Sequence, residues 1–376
     1  MFPVKQSGEV PHPRVMQYRL LGRSGLKASE LCLGTMTFGE EWGWGSSKEV
    51  SKKIYDEFRE AGGNFIDTAN VYTNNTSETF LGEFTKGHRD EVVLATKYSL
   101  HTPGKDVNSA GNNRKNMMQS VESSLKRLQT DHIDLYWLHI WDFLTPVEEV
   151  IRGFDDLVRQ GKILYAGISD TPAWIVARAQ TIADLRGWSP FVALQIEYSL
   201  AERTVERELI PMARELGLGV TAWSPLAGGL LTGKYKQSSD AGRLANAMMQ
   251  GEQKLTDQRK RIVEAVLAVA KETGKSAAQV AIAWLRQQPG EVIPIIGART
   301  LELFRDNLAS QELWLSEDQM KRLDEASRIE LGFPYDFYEK PNPLSLAFAG
   351  YHDRIEPTYG PPRGPRVRAA VKTASR

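Results

Sequence analysis

A single cysteine in 376 residues, Cys32, excludes any disulfide framework within the chain and points to a reducing compartment. It lies inside an apolar run and reads as a small buried hydrophobe. Long hydrophobic runs are also missing. No stretch approaches the roughly 18 apolar residues that a membrane-spanning helix requires. Net charge is absent, because 47 basic side chains balance 47 acidic ones. That leaves no electrostatic reason to expect nucleic acid or an anionic membrane surface as a partner. The six histidines show no metal-ligand spacing and one thiol cannot complete a site, so no metal is expected. Residues 1–16 carry three prolines and no apolar core, and do not read as a signal peptide. A soluble, cytoplasmic protein is expected, with homo-oligomerisation left open.

What is present is a regular alternation. A small hairpin is expected first, with Tyr18–Leu21 and Leu26–Ser29 flanking a turn from Gly22 to Gly25. Eight short apolar runs then follow: Leu31–Met36, Asn64–Ala69, Val92–Lys97, Ile133–His139, Ile163–Ser169, Phe191–Tyr198, Gly219–Pro225 and Val292–Gly297. Between them, apolar residues recur every three or four positions, as in Val50-Ile54-Phe58 and Val121-Leu125-Leu128. Helix starts are marked at Ser47, Thr145-Pro146, Thr171-Pro172 and Ser276. Continuous apolar runs suit parallel strands buried on both faces. An open doubly wound sheet fits this pattern, but the count of eight favours a closed (β/α)₈ TIM barrel over 18–330. Residues 1–17 form an N-terminal extension. Residues 331–376 form an aromatic, Pro-rich loop and a tail whose last 14 residues hold five bases and no acid, expected to be disordered.

In such a barrel the working residues sit at the C-terminal strand ends. The second run ends in Asp67 with Tyr72 shortly after, the third in Lys97 and the fourth in His139. A tyrosine near pKa 10 is an available but poor proton donor. A neighbouring ammonium lowers that value, and a carboxylate such as Asp67 keeps the ammonium charged. A neutral imidazole can orient a carbonyl oxygen by donating to it. Together the four suit protonation of an oxygen as hydride reaches the attached carbon. Singly, each has a bland role: Asp67 as a cap, Lys97 as a rim ion pair, Tyr72 as a loop aromatic, His139 as a core histidine. Their joint placement on consecutive strand ends favours chemistry.

Asp67-Thr-Ala-x-x-Tyr72, Lys97 and Leu138-His139 resemble the aldo-keto reductase superfamily. The likeness continues through Gly34-Thr35-Met36-Thr37-Phe38-Gly39, Gly167-Ile168-Ser169, Gln195, Ala222-Trp223-Ser224-Pro225-Leu226 and Ile296-Gly297-Ala298-Arg299. It runs from about 18 to 330 and is closest to the aryl-alcohol dehydrogenase and potassium-channel β-subunit branch. The resemblance implies an NADP-dependent oxidoreductase with Tyr72 as acid and base, tuned by Lys97 and Asp67, and His139 orienting the carbonyl. It implies NADPH held by Thr35, Met36, Asp67, Ser169, Asp170, Gln195, Trp223, Ser224, Pro225, Leu226, Gly228, Leu230, Lys234, Gly297, Arg299 and Asn307. Trp223 would stack on the nicotinamide. Arg299, beside a helix N-terminus, would take the 2′-phosphate and favour NADPH over NADH. Two positions depart from the family. Asp170 stands where Asn is common, and an ionised carboxylate accepts but cannot donate. Leu303 stands where an adenine-binding Gln or Glu is frequent.

Two motifs mislead. Gly228-x₄-Gly233-Lys234 lacks the following Ser or Thr of a P-loop, and Gly217-x-Gly219 precedes its strand instead of following it. Trp42, Trp44, Tyr98, Trp141 and Phe143 are expected to crowd the barrel mouth and favour an aromatic or otherwise hydrophobic carbonyl. Two alternatives remain: a regulatory NADPH-binding subunit with incidental turnover, and a barrel that binds no cofactor.

Overall fold

The computed structural model describes residues 15–101, 106–233, 256–351 and 354, apart from the side chains of 341, 342 and 344. It opens on a hairpin of β1 (Tyr18–Leu20) and β2 (Lys27–Ser29), paired in antiparallel register with Tyr18 opposite Ser29. Eight parallel strands follow: β3 (Cys32–Gly34), β4 (Phe65–Asp67), β5 (Val93–Tyr98), β6 (Ile133–Leu138), β7 (Ile163–Ser169), β8 (Phe191–Glu197), β9 (Gly219–Trp223) and β10 (Val292–Ile296). They close into a barrel because β10 pairs with both β9 and β3. Helices cover it: α1 (Lys48–Glu60), α2 (Thr76–Phe84), α3 (Arg114–Leu128), α4 (Val147–Arg159), α5 (Ala173–Arg186), α6 (Leu209–Leu216), α7 (Asp257–Thr273), α8 (Ala277–Arg286), α9 (Leu301–Leu308) and α10 (Glu317–Ala326). The chain is therefore the (β/α)₈ barrel that eight apolar runs lead one to expect.

Strand alternation splits the core into two layers. Cys32, Phe65, Val93, Ala95, Leu135, Trp137, Ala193 and Ile293 face inward, and Leu21 and Ala28 of the hairpin join them. The hairpin thus plugs the N-terminal end of the barrel, and Arg23 N donates to Gly217 O just before β9. The outward layer meets the helices, with Tyr136, Phe154 and Phe191 among its buried members. Each such side chain, fully buried, contributes roughly 1.5–3 kcal/mol from the area removed from water. The N-terminal plug leaves the opposite, C-terminal rim as the open end.

The helix starts divide. Ser47 accepts from Val50 N, and Ser276 forms a full capping box with Gln279. Thr145 and Thr171 do not cap, since their hydroxyls donate instead to Asp142 Oδ2 and Ser169 O, both at 2.7 Å. Pro146 and Pro172 take the N-cap positions with their backbone carbonyls. The segment after residue 331 is not simply loop. It forms two short helices, α11 (Tyr335–Tyr338) and α12 (Pro341–Ala347), the first begun by the Pro334 carbonyl accepting from Phe337 N and Tyr338 N. Residues 1–14 and 355–376, which include the basic tail, lie outside the described residues.

Candidate active site

Asp67 ends β4, Lys97 is the penultimate residue of β5, and His139 follows β6. Tyr72 opens a 3₁₀ turn, Tyr72–Asn75, in the loop after β4. The barrel brings all four together. Lys97 Nζ donates to Asp67 Oδ2, to Thr68 O at 2.7 Å and to the Tyr72 hydroxyl at 3.1 Å. The second Asp67 oxygen accepts from Gln195 Nε2 at 3.1 Å. The Tyr72 and His139 rings meet edge to face with centroids 5.9 Å apart.

Burial sets the charge states. It would depress Lys97, but Asp67 and Tyr72 outweigh it and hold the ammonium above the ordinary lysine value. Burial pushes the Asp67 carboxyl up and Lys97 pulls it back. His139 is pushed well below the ordinary imidazole value by burial and then by Lys97, so it is neutral at physiological pH. Tyr72 differs from the sequence reading. The ammonium does lower it, but burial is larger and the hydroxyl ends above its ordinary value. Tyr72 is thus a neutral donor at neutral pH, with Lys97 ready to stabilise its phenolate.

The loop carrying Tyr72 is strained. Thr73, Asn74 and Asn75 have φ of 44°, 53° and 79° in succession. Asparagine tolerates this left-handed region, and a β-branched threonine resists it. Such residues cost of order 1–3 kcal/mol each and persist where surroundings hold them. Here Thr73 Oγ1 donates to Phe38 O at 2.5 Å, and Asn75 Nδ2 donates to Asn70 O. Ser77 ties the loop to two strand ends. Its hydroxyl lies 2.8 Å from those of Thr35 and Thr68 and donates to Thr35 O. Sequence reasoning missed Ser77 because a hydroxyl at the second position of a helix carries no periodic signal. It also missed Trp137, which strand alternation with its partner Lys97 would have placed inside the barrel.

Most of the proposed cofactor residues that the structure describes lie at or beside the same rim. Ser169 Oγ and Asn70 Oδ1 are buried there without a hydrogen-bond partner, as is His139 Nδ1. Unpaired buried polar atoms are costly, and a ligand supplying complementary groups would satisfy them. Asp170 Oδ1 accepts from Trp223 Nε1 at 3.1 Å. Gln195, besides its place on this rim, is committed to Asp67. Thr35 Oγ1 donates to Asp67 O at 3.0 Å, and Met36 beside it is half-buried. After β9 the chain turns sharply. Ser224, Ala227, Gly228 and Gly229 all have positive φ, Gly229 at 101°, where glycine alone is at ease. Pro225 and Leu230 are buried and Leu226 is half-buried, which anchors this turn. Arg299 is exposed immediately before α9, whose N-cap is Thr300. Asn307 Nδ2 donates to Gly297 O at 3.3 Å, joining α9 to the end of β10. Lys234 lies outside the described residues.

The five aromatics differ in their surroundings. Trp42 packs on Trp44 at 5.6 Å and edge-on to Tyr72 at 6.5 Å, with its Nε1 toward Asn74 Oδ1. Trp141 is buried, and Phe143 is 70% exposed. Tyr98 is not at the mouth. It follows Lys97, so alternation turns it outward, where it stacks on Tyr136 at 5.5 Å beneath Phe154. Trp174, not picked out from the sequence, stands 62% exposed at the start of α5, on the rim after β7.

A C-terminal barrel rim bearing a lysine–carboxylate pair, a neutral tyrosine and a neutral histidine defines a class of enzyme suited to proton transfer at a carbonyl–alcohol pair. Comparison with known proteins agrees. The Aldo/keto reductase family model matches residues 30–328. An aryl-alcohol dehydrogenase [NADP(+)] of Phanerodontia chrysosporium is 38% identical over 351 residues, covering 88% of this chain and 91% of the relative. A norsolorinic acid reductase of Aspergillus flavus is 38% identical over 342 residues, covering 88% and 86%. An uncharacterised oxidoreductase of Bacillus subtilis is 40% identical over 322 residues, covering 82% and 95%. The chain belongs to the aldo/keto reductase family and is an oxidoreductase.

Proposed function

We propose that the protein reduces an aldehyde or ketone with NADPH, and oxidises the corresponding alcohol in reverse. The observation that carries this reading is the Lys97 ammonium, joined to both the Asp67 carboxylate and the Tyr72 hydroxyl at the rim. The reduced nicotinamide, when bound, supplies the hydride. Tyr72 gives its proton to the carbonyl oxygen, and Lys97 stabilises the phenolate left behind. Asp67 keeps the ammonium charged and in place. Neutral His139 donates to the carbonyl oxygen and orients it. In reverse, the phenolate takes the alcohol proton.

The residues present fit the cofactor. Ser169 Oγ, buried and unpaired, suits the carboxamide, and Trp223 offers a flat face to the ring. The glycine turn after β9 would hold the pyrophosphate through its backbone N–H groups. Arg299 with the α9 N-terminus suits the 2′-phosphate and so favours NADPH over NADH. The paired indoles of Trp42 and Trp44 beside Tyr72 favour a planar apolar substrate. The printed names of the aryl-alcohol and norsolorinic acid relatives point the same way.

A carbonyl panel that includes 4-nitrobenzaldehyde, followed by NADPH oxidation, tests this. Turnover of aromatic aldehydes with NADPH is expected. Tight NADPH binding with no turnover across the panel would overturn the reading and favour a binding subunit.

A further inference from the structure

Two carboxylates outside the proton-transfer group share this rim. Asp170 follows the last residue of β7, and Glu197 ends β8, where it is the cross-strand partner of Trp223. The indole of Trp223 therefore has one carboxylate hydrogen-bonded at its Nε1 and a second on the neighbouring strand. Asp170 holds φ at 39°, a left-handed conformation uncommon for a residue other than glycine, which turns its carboxylate against the indole. Neither carboxylate forms a salt bridge with lysine or arginine among the described residues.

The surrounding charges do not cancel them. Lys97 faces Asp170 from β5 but is committed to Asp67, so that pair adds no net charge. Tyr72 and His139 face the same space and are neutral. Glu202, in the loop after β8, adds a further negative charge near Glu197, and Arg259 of α7 opposes it. Desolvation by the mouth pushes Asp170 up to about 6, against the indole hydrogen bond and Lys97. Desolvation, then Glu202 and Asp170, push Glu197 up to about 7. Both lose their charge within the range where an enzyme is assayed.

We propose that Asp170, backed by Glu197, makes the Trp223 shelf select the cationic ring of NADP⁺ over the neutral ring of NADPH, so that bound NADPH is a stronger hydride donor. This rests on the reading that Trp223 holds the nicotinamide. When hydride leaves, one hydrogen nucleus and two electrons pass to the carbonyl carbon and the ring goes from neutral to singly positive. A fixed negative charge near the ring favours the product state of that step. By linkage, whatever tightens NADP⁺ relative to NADPH drives the hydride outward by the same factor.

Fluorescence titration of the full chain with NADP⁺ and with NADPH, from pH 8 to 5.5, gives the ratio of their Kd values. The 2′-phosphate also titrates here, but it is common to both nucleotides and cancels in the ratio. The wild-type ratio Kd(NADP⁺)/Kd(NADPH) is expected to rise about tenfold as pH falls, because protonation removes the favourable charge. Asp170→Asn keeps an acceptor for the indole, so it should start at the raised ratio and lose most of the pH dependence. Glu197→Gln should lose only the upper part. A wild-type ratio flat with pH, or one unchanged by both substitutions, overturns the proposal and leaves the cofactor reading standing. If neither nucleotide binds, the cofactor reading itself falls, and the proposal with it. Should Asp170→Asn fail to fold, the wild-type pH series and Glu197→Gln still decide.

Discussion

At the scale of single residues, the site is organised around one buried cation. Lys97 is fully buried and joined to Asp67, so each charge exists because of the other. Replacing Lys97 with Met leaves an unpaired carboxylate inside the barrel. Denaturant unfolding should show a loss of about 3–5 kcal/mol. Adding Asp67→Asn should recover part of it. A single variant as stable as wild type would mean the pair is not holding this rim together. The pH dependence has a definite sign. Lys97 titrates above its ordinary value when folded. Its contribution is therefore complete below about 10.4 and is lost only as pH rises beyond that. Arg299→Ala should leave the fold unchanged and erode the preference for NADPH over NADH, read as the ratio of kcat/KM values. An unchanged ratio would place the 2′-phosphate elsewhere.

At the scale of elements, strand alternation explains what the sequence revealed and what it hid. Lys97 and Trp137 are cross-strand partners facing inward, and Trp137 is in turn the partner of Gly167. A Cβ on Gly167 would lie 2.3 Å from Trp137 Cε3. Gly167→Ala should therefore cost about 1–3 kcal/mol through overpacking and push the indole toward Asp67 and Lys97. Thermal unfolding reads the first effect and KM for the carbonyl the second, and no change in either would contradict the packing. Tyr98 shows the opposite error. One step along the strand from Lys97, it faces the helices, and counting aromatics near a strand end does not register that reversal. Caps were legible where serine has a free backbone N–H within reach, as at Ser47 and Ser276. They were not at Thr145 and Thr171, whose hydroxyls find nearer acceptors. The Gly217-x-Gly219 pair resolves the same way, with Gly217 in the left-handed conformation that ends α6.

At the scale of the whole molecule, eight apolar runs separated by helical periods were sufficient for the barrel, because parallel strands buried on both faces leave that mark in any sequence. The clustering of Asp67, Tyr72, Lys97 and His139 was legible because the C-terminal ends of neighbouring strands meet at one rim of the barrel. What was not legible depends on contacts between distant loops. The pairing of Trp42 with Trp44 beside Tyr72, the exposure of Phe143, the hydrogen bonds of Ser77 and the exposure of Trp174 all come from how neighbouring loops meet. The proposed reaction depends above all on Tyr72 supplying the proton. The direct measurement compares Tyr72→Phe with wild type for 4-nitrobenzaldehyde reduction by NADPH, with nucleotide affinity titrated alongside. A fall in kcat of about 10²–10⁴-fold is expected, with NADPH affinity nearly unchanged. Turnover near the wild-type rate, or binding lost in step with activity, would contradict it.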